Sequence, residues 1–133
     1  MRQFLIAIVV FFGLITPSHA QNADIEATIG AQIEAFKADD FDQAFTYASP
    51  NIQGIFGTPD NFGVMVRRGY PMVWRPAEVR FLELGEVGGA LWQKVMIVDG
   101  EGSVHLLAYE MIQLENGWKI NGVQLLKDEA QSA

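Results

Sequence analysis

Ala38-Asp-Asp-Phe-Asp-Gln-Ala-Phe-Thr-Tyr-Ala-Ser-Pro50, then Asn51-Ile-Gln-Gly-Ile-Phe-Gly-Thr-Pro-Asp60, then Asn61-Phe-Gly-Val-Met-Val-Arg-Arg-Gly-Tyr-Pro-Met-Val-Trp-Arg-Pro76 is the stretch that divides this chain of 133 residues into a helical half and a strand half. Asp40 followed by Gln43 has the spacing of a capping box, and Phe41, Ala44, Phe45 and Ala48 fall on one helical stripe behind it. Ser49-Pro50 is expected to stop that helix, because proline pushes the residue before it out of the α region. Ile52 to Phe56 is a short apolar run that reads as a small strand. Thr58-Pro59-Asp60 opens another helix, with Thr as cap, Pro at the first helical position and an acid in the first turn. Phe62, Met65, Val66 and Gly69 follow at helical spacing, and Pro71 prevents continuation.

Upstream, Ile25, Ile29, Ile33 and Phe36 recur on one helix face, with Asn22 as candidate cap, so the spacing predicts a helix from about Ala23 to Ala38. Downstream the period changes. Val79–Leu84, Leu91–Val98, Val104–Leu114 and Trp118–Leu126 read as strands, separated by Gly88-Gly89, Asp99-Gly100 and Asn116-Gly117. Connections this short pair neighbours antiparallel. Gly122 inside the last strand predicts a bulge. The expected fold class is α+β, with three N-terminal helices packed on a curved four-stranded antiparallel meander.

At the start of the chain, Arg2 precedes an apolar run from Phe4 to Ile15, and Ser18-His19-Ala20 supplies small residues where a signal peptidase reads them. The run is short of the ~20 apolar residues that span a bilayer. Residues 1–20 are therefore expected to be a signal peptide, cleaved after Ala20, and residues 21–133 a single periplasmic or secreted domain with no membrane attachment after cleavage.

The formal net charge of −7 argues against nucleic acid or an anionic membrane as partner, since both are held by Lys and Arg. The chain has no cysteine, which removes disulfides, thiolate chemistry and Cys-based metal sites. Cleavage would leave His105 as the one histidine, so no metal and no cofactor are expected. Asp39, Asp40 and Asp42 lack the ligand spacing and glycine of a calcium loop and suit helix capping.

Candidate ligand-binding residues are Tyr47, Arg67, Arg68, Tyr70, His105 and Tyr109. Arg67-Arg68 either completes a helix end or, with Tyr70, clamps an anion. His105 and Tyr109 share a strand face with Leu107 and Met111, an apolar wall with two polar tips. Ser103 is two residues from His105, but no carboxylate is evidently placed to orient the imidazole, and no glycine-framed elbow surrounds the serine.

The order of elements resembles the nuclear transport factor 2-like fold, a cone in which a curved sheet wraps its helices. Ala35-Phe36-Lys37-Ala38-Asp39-Asp40-Phe41, Ile55-Phe56-Gly57-Thr58-Pro59, Met65-Val66-Arg67-Arg68-Gly69-Tyr70-Pro71 and Trp118-Lys119-Ile120-Asn121-Gly122-Val123 resemble the uncharacterised bacterial family named domain of unknown function 4864. The resemblance implies an exported bacterial protein and assigns no activity. Cone enzymes such as ketosteroid isomerases place an Asp or Tyr inside the cone, whereas here no Asp falls within a predicted core strand. The resulting expectation is a non-enzymatic module binding a small apolar or anionic ligand, or a partner, in the cone. The alternative is a small isomerase or hydrolase using Tyr109, His105 and an arginine. Because the second and third strands are apolar on both faces, and the resemblance implies pairing of such sheets, a homodimer through the sheet is also expected.

Overall fold

Alternation of apolar residues from Pro76 onward produces four strands, β1 (Pro76–Val87), β2 (Ala90–Asp99), β3 (Val104–Leu114) and β4 (Gly117–Leu126). They pair antiparallel in sequence order, as the three turn signals predict. The computed structural model describes residues 19–126, so most of the predicted signal peptide lies outside the described residues. Gly88 and Gly89, with φ of 60° and 83°, make the β1–β2 turn in the left-handed region that glycine adopts without steric cost.

Among the described residues five helices precede the sheet where three were expected: α1 (His19–Lys37), α2 (Phe41–Thr46), α3 (Pro50–Phe56), α4 (Pro59–Gly69) and the single turn α5 (Pro71–Trp74). Helix α1 begins upstream of Asn22, which therefore lies inside the helix and does not cap it. No glycine or proline separates His19 from Asn22, so nothing local stops the helix there. Ile25, Ile29, Ile33 and Phe36 form its buried stripe, as their spacing predicts. Asp40 caps α2 by accepting from Gln43 N at 3.1 Å, while the Gln43 side chain donates to Tyr47 Oη at 3.0 Å instead of closing the box.

The predicted strand at Ile52–Phe56 is helix α3. Ser49-Pro50 is a start signal, the same chemistry as Thr58-Pro59. Ser49 Oγ accepts from Ile52 N at 3.2 Å, and Thr58 Oγ1 accepts from Asn61 N at 3.1 Å, each with proline as first helical residue.

The sheet bends where its register shifts. In β4, Glu110 faces Gly122 and Met111 faces Ile120, which leaves Asn121 as the extra residue of a bulge beside the predicted Gly122. Tyr47–Ser49 lies along this bulge. Ile120 N donates to Tyr47 O at 2.9 Å, Ser49 N donates to Ile120 O at 2.8 Å, and Ser49 Oγ donates to Asn121 Oδ1 at 2.7 Å. Lys119 Nζ adds a bond to Thr46 O at 2.8 Å. A second register shift, between Phe81 and Leu84 in β1, is met by buried Gln93, whose Nε2 donates to Leu82 O at 3.0 Å.

The inner face of the curved sheet carries Val95, Ile97, Leu107, Tyr109, Met111 and Ile120 against the buried faces of α1, α4 and α5. Phe62 of α4 sits at the centre of the helical layer, with ring centroids 5.8, 5.3 and 5.7 Å from Phe36, Phe45 and Phe56. Gly63 lets α4 approach α2, since a Cβ there would lie 2.8 Å from Phe41 Cδ1. The outer face of the sheet carries partly exposed Trp92, Met96, Leu106 and Ile112. This is the α+β cone that the resemblance implies.

Ser49→Ala should remove the cap of α3 and leave Asn121 Oδ1 without its donor. The expected loss is about 1–3 kcal/mol, measured by urea unfolding with unchanged slope. A loss below about 0.3 kcal/mol would show that the bulge contact contributes nothing.

Candidate functional site

The cone is not completely filled. A cavity of about 370 Å³ lies between the helices and the inner face of the sheet. Phe36 and Gln32 of α1 form its base, Phe62, Met65 and Val66 of α4 one side, and Tyr109, Ile120 and Val123 of the sheet the other. Ile52, Ile55 and Phe56 of α3 stand at its rim, and Ile55 is 64% exposed. None of the lining residues is charged.

Three polar side chains share this wall. Gln32, buried, donates Nε2 to Ala44 O at 3.1 Å. Tyr70 donates its hydroxyl to Val123 O at 3.3 Å, long for an O–H···O bond. Tyr109 is buried, and its hydroxyl has no hydrogen-bond partner among the described residues. Burial, and then the neighbouring Tyr70, push the ionisation of Tyr109 well above the usual tyrosine range, so this hydroxyl stays protonated.

Of the six candidate residues, Tyr70 and Tyr109 line the cavity and the other four do not. Tyr47 is half-buried and holds the Gln43 side chain on the outside of α2. Arg67 is exposed with its guanidinium 5.0 Å from the centre of the Phe41 ring, and Arg68 is exposed on the last turn of α4. His105 belongs to a separate, shallower hollow with Pro71, Met72 and Glu101. There its Nε2 lies 2.9 Å from Asp99 Oδ2. This corrects the sequence reading that no carboxylate orients His105. Asp99 is the last residue of β2, and the turn folds it back onto His105 while its Oδ1 accepts from Glu101 N and Ser103 N at 2.9 and 3.0 Å. Tyr109, His105 and an arginine thus do not converge on one point.

Arg75, the residue that ends α5, is engaged in the scaffold. Its Nη2 bonds both carboxylate oxygens of Asp39 at 3.0 and 3.2 Å, its Nη1 donates to Phe36 O at 3.1 Å, and it stacks on Trp74 at 4.2 Å. Asp39, at a φ of 58°, is held in this strained turn by that bond and by Trp74 Nε1 at 2.9 Å. Among the described residues no group of three or more acidic, cysteine or histidine side chains is placed to hold a metal ion. Among them no helix is long and apolar enough to cross a membrane.

Sequence reasoning missed Gln32 and the rim of α3. Gln32 was the polar interruption in an otherwise apolar helix face, which is the signal that could have found it. The model of the family described as domain of unknown function (DUF4864) matches residues 18–133. The chain belongs to this family. Among solved structures, Aln2 from a Streptomyces species is similar with a TM-score of 0.50 at 12% identity, covering 87% of this chain and 96% of that one, which shows a shared fold. A crystal structure described as an NTF2-like protein of unknown function from Burkholderia pseudomallei gives a TM-score of 0.38 at 17% identity, with 82% and 94% covered. No curated protein matches the chain.

Asp39 and Asp99 are both held below the ordinary carboxyl value of 3.8, Asp39 chiefly by the Trp74 hydrogen bond and then by Arg75, and Asp99 chiefly by His105 and then by the Ser103 amide. A depressed folded value means stability that is present above the unfolded value and lost as pH falls through the folded one. Unfolding by urea at a series of pH values from about 7 down to about 2 should show this loss below the ordinary value, and Asp39→Asn or Asp99→Asn should each flatten it. An unchanged profile in both variants would refute the assignment.

Proposed function

We propose that this chain is an exported, non-enzymatic module that holds a small apolar molecule inside its cone. The observation that carries the reading is the uncharged cavity of about 370 Å³, within the range of small-molecule sites. The rim supports it as well: helix α3 has no fully buried residue and presents Ile55 to solvent beside the opening. Binding of an anion has no comparable support, because Arg67, Arg68 and Arg75 lie outside the cavity wall.

The neutral dye N-phenyl-1-naphthylamine should brighten on binding the purified protein. Val66→Phe, which adds bulk to the wall, should weaken that binding at least about tenfold with the fold retained by circular dichroism, a loss equivalent to ~1.4 kcal/mol. Met96→Phe, on the outer sheet face, should leave it unchanged. Equal dye binding by all three proteins would place the dye elsewhere and sink the reading.

We further propose that export removes residues 1–20 and that the mature chain pairs with a second copy through the outer face of the sheet. The support is the apolar run of the N-terminus and the partly exposed Trp92, Met96, Leu106 and Ile112 on the outer face, among which Lys94 and Glu110 are interleaved. Intact mass and light scattering on the exported protein at micromolar concentration test both. The expected result is a chain beginning at Gln21 with twice the single-chain mass in solution, and a retained Met1 or a monomer overturns the corresponding half.

A further inference from the structure

We infer that the cavity selects a neutral, largely apolar molecule carrying one hydrogen-bond acceptor, such as a ketone or ether oxygen, and that Tyr109 is the residue that reads it. This inference rests on the cavity being a binding site, as proposed above. Of the three polar side chains in the wall, Gln32 and Tyr70 already donate to backbone carbonyls, Ala44 O and Val123 O. Tyr109 is 1% exposed, and its hydroxyl meets neither a partner among the described residues nor bulk water. A buried donor left in this state costs free energy that an acceptor arriving with a ligand recovers. An apolar ligand without such an atom leaves the cost in place.

Charge is selected against in both senses. A carboxylate entering this wall loses its hydration and finds no cation, because Arg67 lies over the Phe41 ring and Arg75 is tied to Asp39 on the outer surface. A cation finds no carboxylate among the lining residues. Tyr109 itself offers no charge, since burial keeps its proton in place. Tyr70, close enough to oppose ionisation of Tyr109, holds its own bond at 3.3 Å and is the wall group most easily displaced to let an acceptor reach the Tyr109 hydroxyl.

The test uses three probes of one shape: naphthalene, 2-acetylnaphthalene and 2-naphthoate, titrated into the purified protein and into Tyr109→Phe near neutral pH. The wild type should bind 2-acetylnaphthalene about tenfold more tightly than naphthalene, the scale of one net hydrogen bond, and 2-naphthoate more weakly than either. Tyr109→Phe should bring the ketone down to the affinity of naphthalene and leave naphthalene unchanged. The ligand-free Tyr109→Phe protein should melt at the same temperature as the wild type or higher, because it loses an unpaired hydroxyl and no contact. Equal binding of ketone and hydrocarbon by the wild type, a ketone advantage that survives in Tyr109→Phe, or preferred binding of 2-naphthoate overturns the inference and leaves the binding cavity standing. A lower melting temperature for Tyr109→Phe also overturns it, by showing that the hydroxyl is already satisfied in the empty protein. If none of the three probes binds the wild type, the cavity reading fails and this inference with it.

Discussion

The segment Tyr47–Ser49, hydrogen-bonded along Ile120 and Asn121, is the constraint on which the rest of the structure depends. Apolar packing holds the helical layer to the sheet, but it is non-directional and fixes no register. The bonds from Ile120 N to Tyr47 O, from Ser49 N to Ile120 O and from Ser49 Oγ to Asn121 Oδ1 supply the direction. They work because β4 bulges there: the extra residue, Asn121, is the one that turns its side-chain oxygen to Ser49. Ser49 in turn caps α3, so one buried hydroxyl orients the helix that rims the cavity and ties it to the strand that walls it. Ala48, Ile120 and Gly122 belong both to this junction and to the cavity wall.

The interior is sparing with polar groups, and those it contains answer to backbone irregularity. Gln93 meets the carbonyl of Leu82 where β1 changes register. Gln32 meets Ala44 O at the last turns of α2. Both are buried amides whose donors end on backbone carbonyls, Ala44 O accepting from Tyr47 N as well. Among the described residues, the exceptions are the Asn22 Oδ1 and the Tyr109 hydroxyl. The second stands in the wall of the cavity between helices and sheet, which is why chemistry is assigned to it.

Much of this was legible in the sequence. Three turn signals gave four strands in the right order, and the spacing of Ile25, Ile29, Ile33 and Phe36 gave the buried face of α1. Helix α3 was not legible, for two physical reasons. A residue before proline is excluded from the helical region, and the first turn of a helix welcomes proline, so Ser49-Pro50 is compatible with a stop and with a start. A short apolar run such as Ile52–Phe56 carries too little periodicity to decide between them. Tyr109 could be named from sequence as a polar tip among apolar residues, and Tyr70 only as a neighbour of the arginine pair. The space between them could not, because a cavity is a shortfall of packing across elements that meet only in three dimensions. The Asp99–His105 pair was hidden similarly: they lie six positions apart across a turn, and the turn geometry brings them together.

The junction also separates two orders of closure. Each strand of the meander joins its neighbour in sequence through a short turn, whereas Ser49 and Asn121 are 72 residues apart. Local closures cost little chain entropy and distant ones more, so closing the junction costs more chain entropy than closing any of the hairpins. The backbone N–H groups of Ser49 and Ile120 are both consumed in this junction, so their hydrogen-exchange rates report its opening, and a molecule held in the adjoining cavity would slow them.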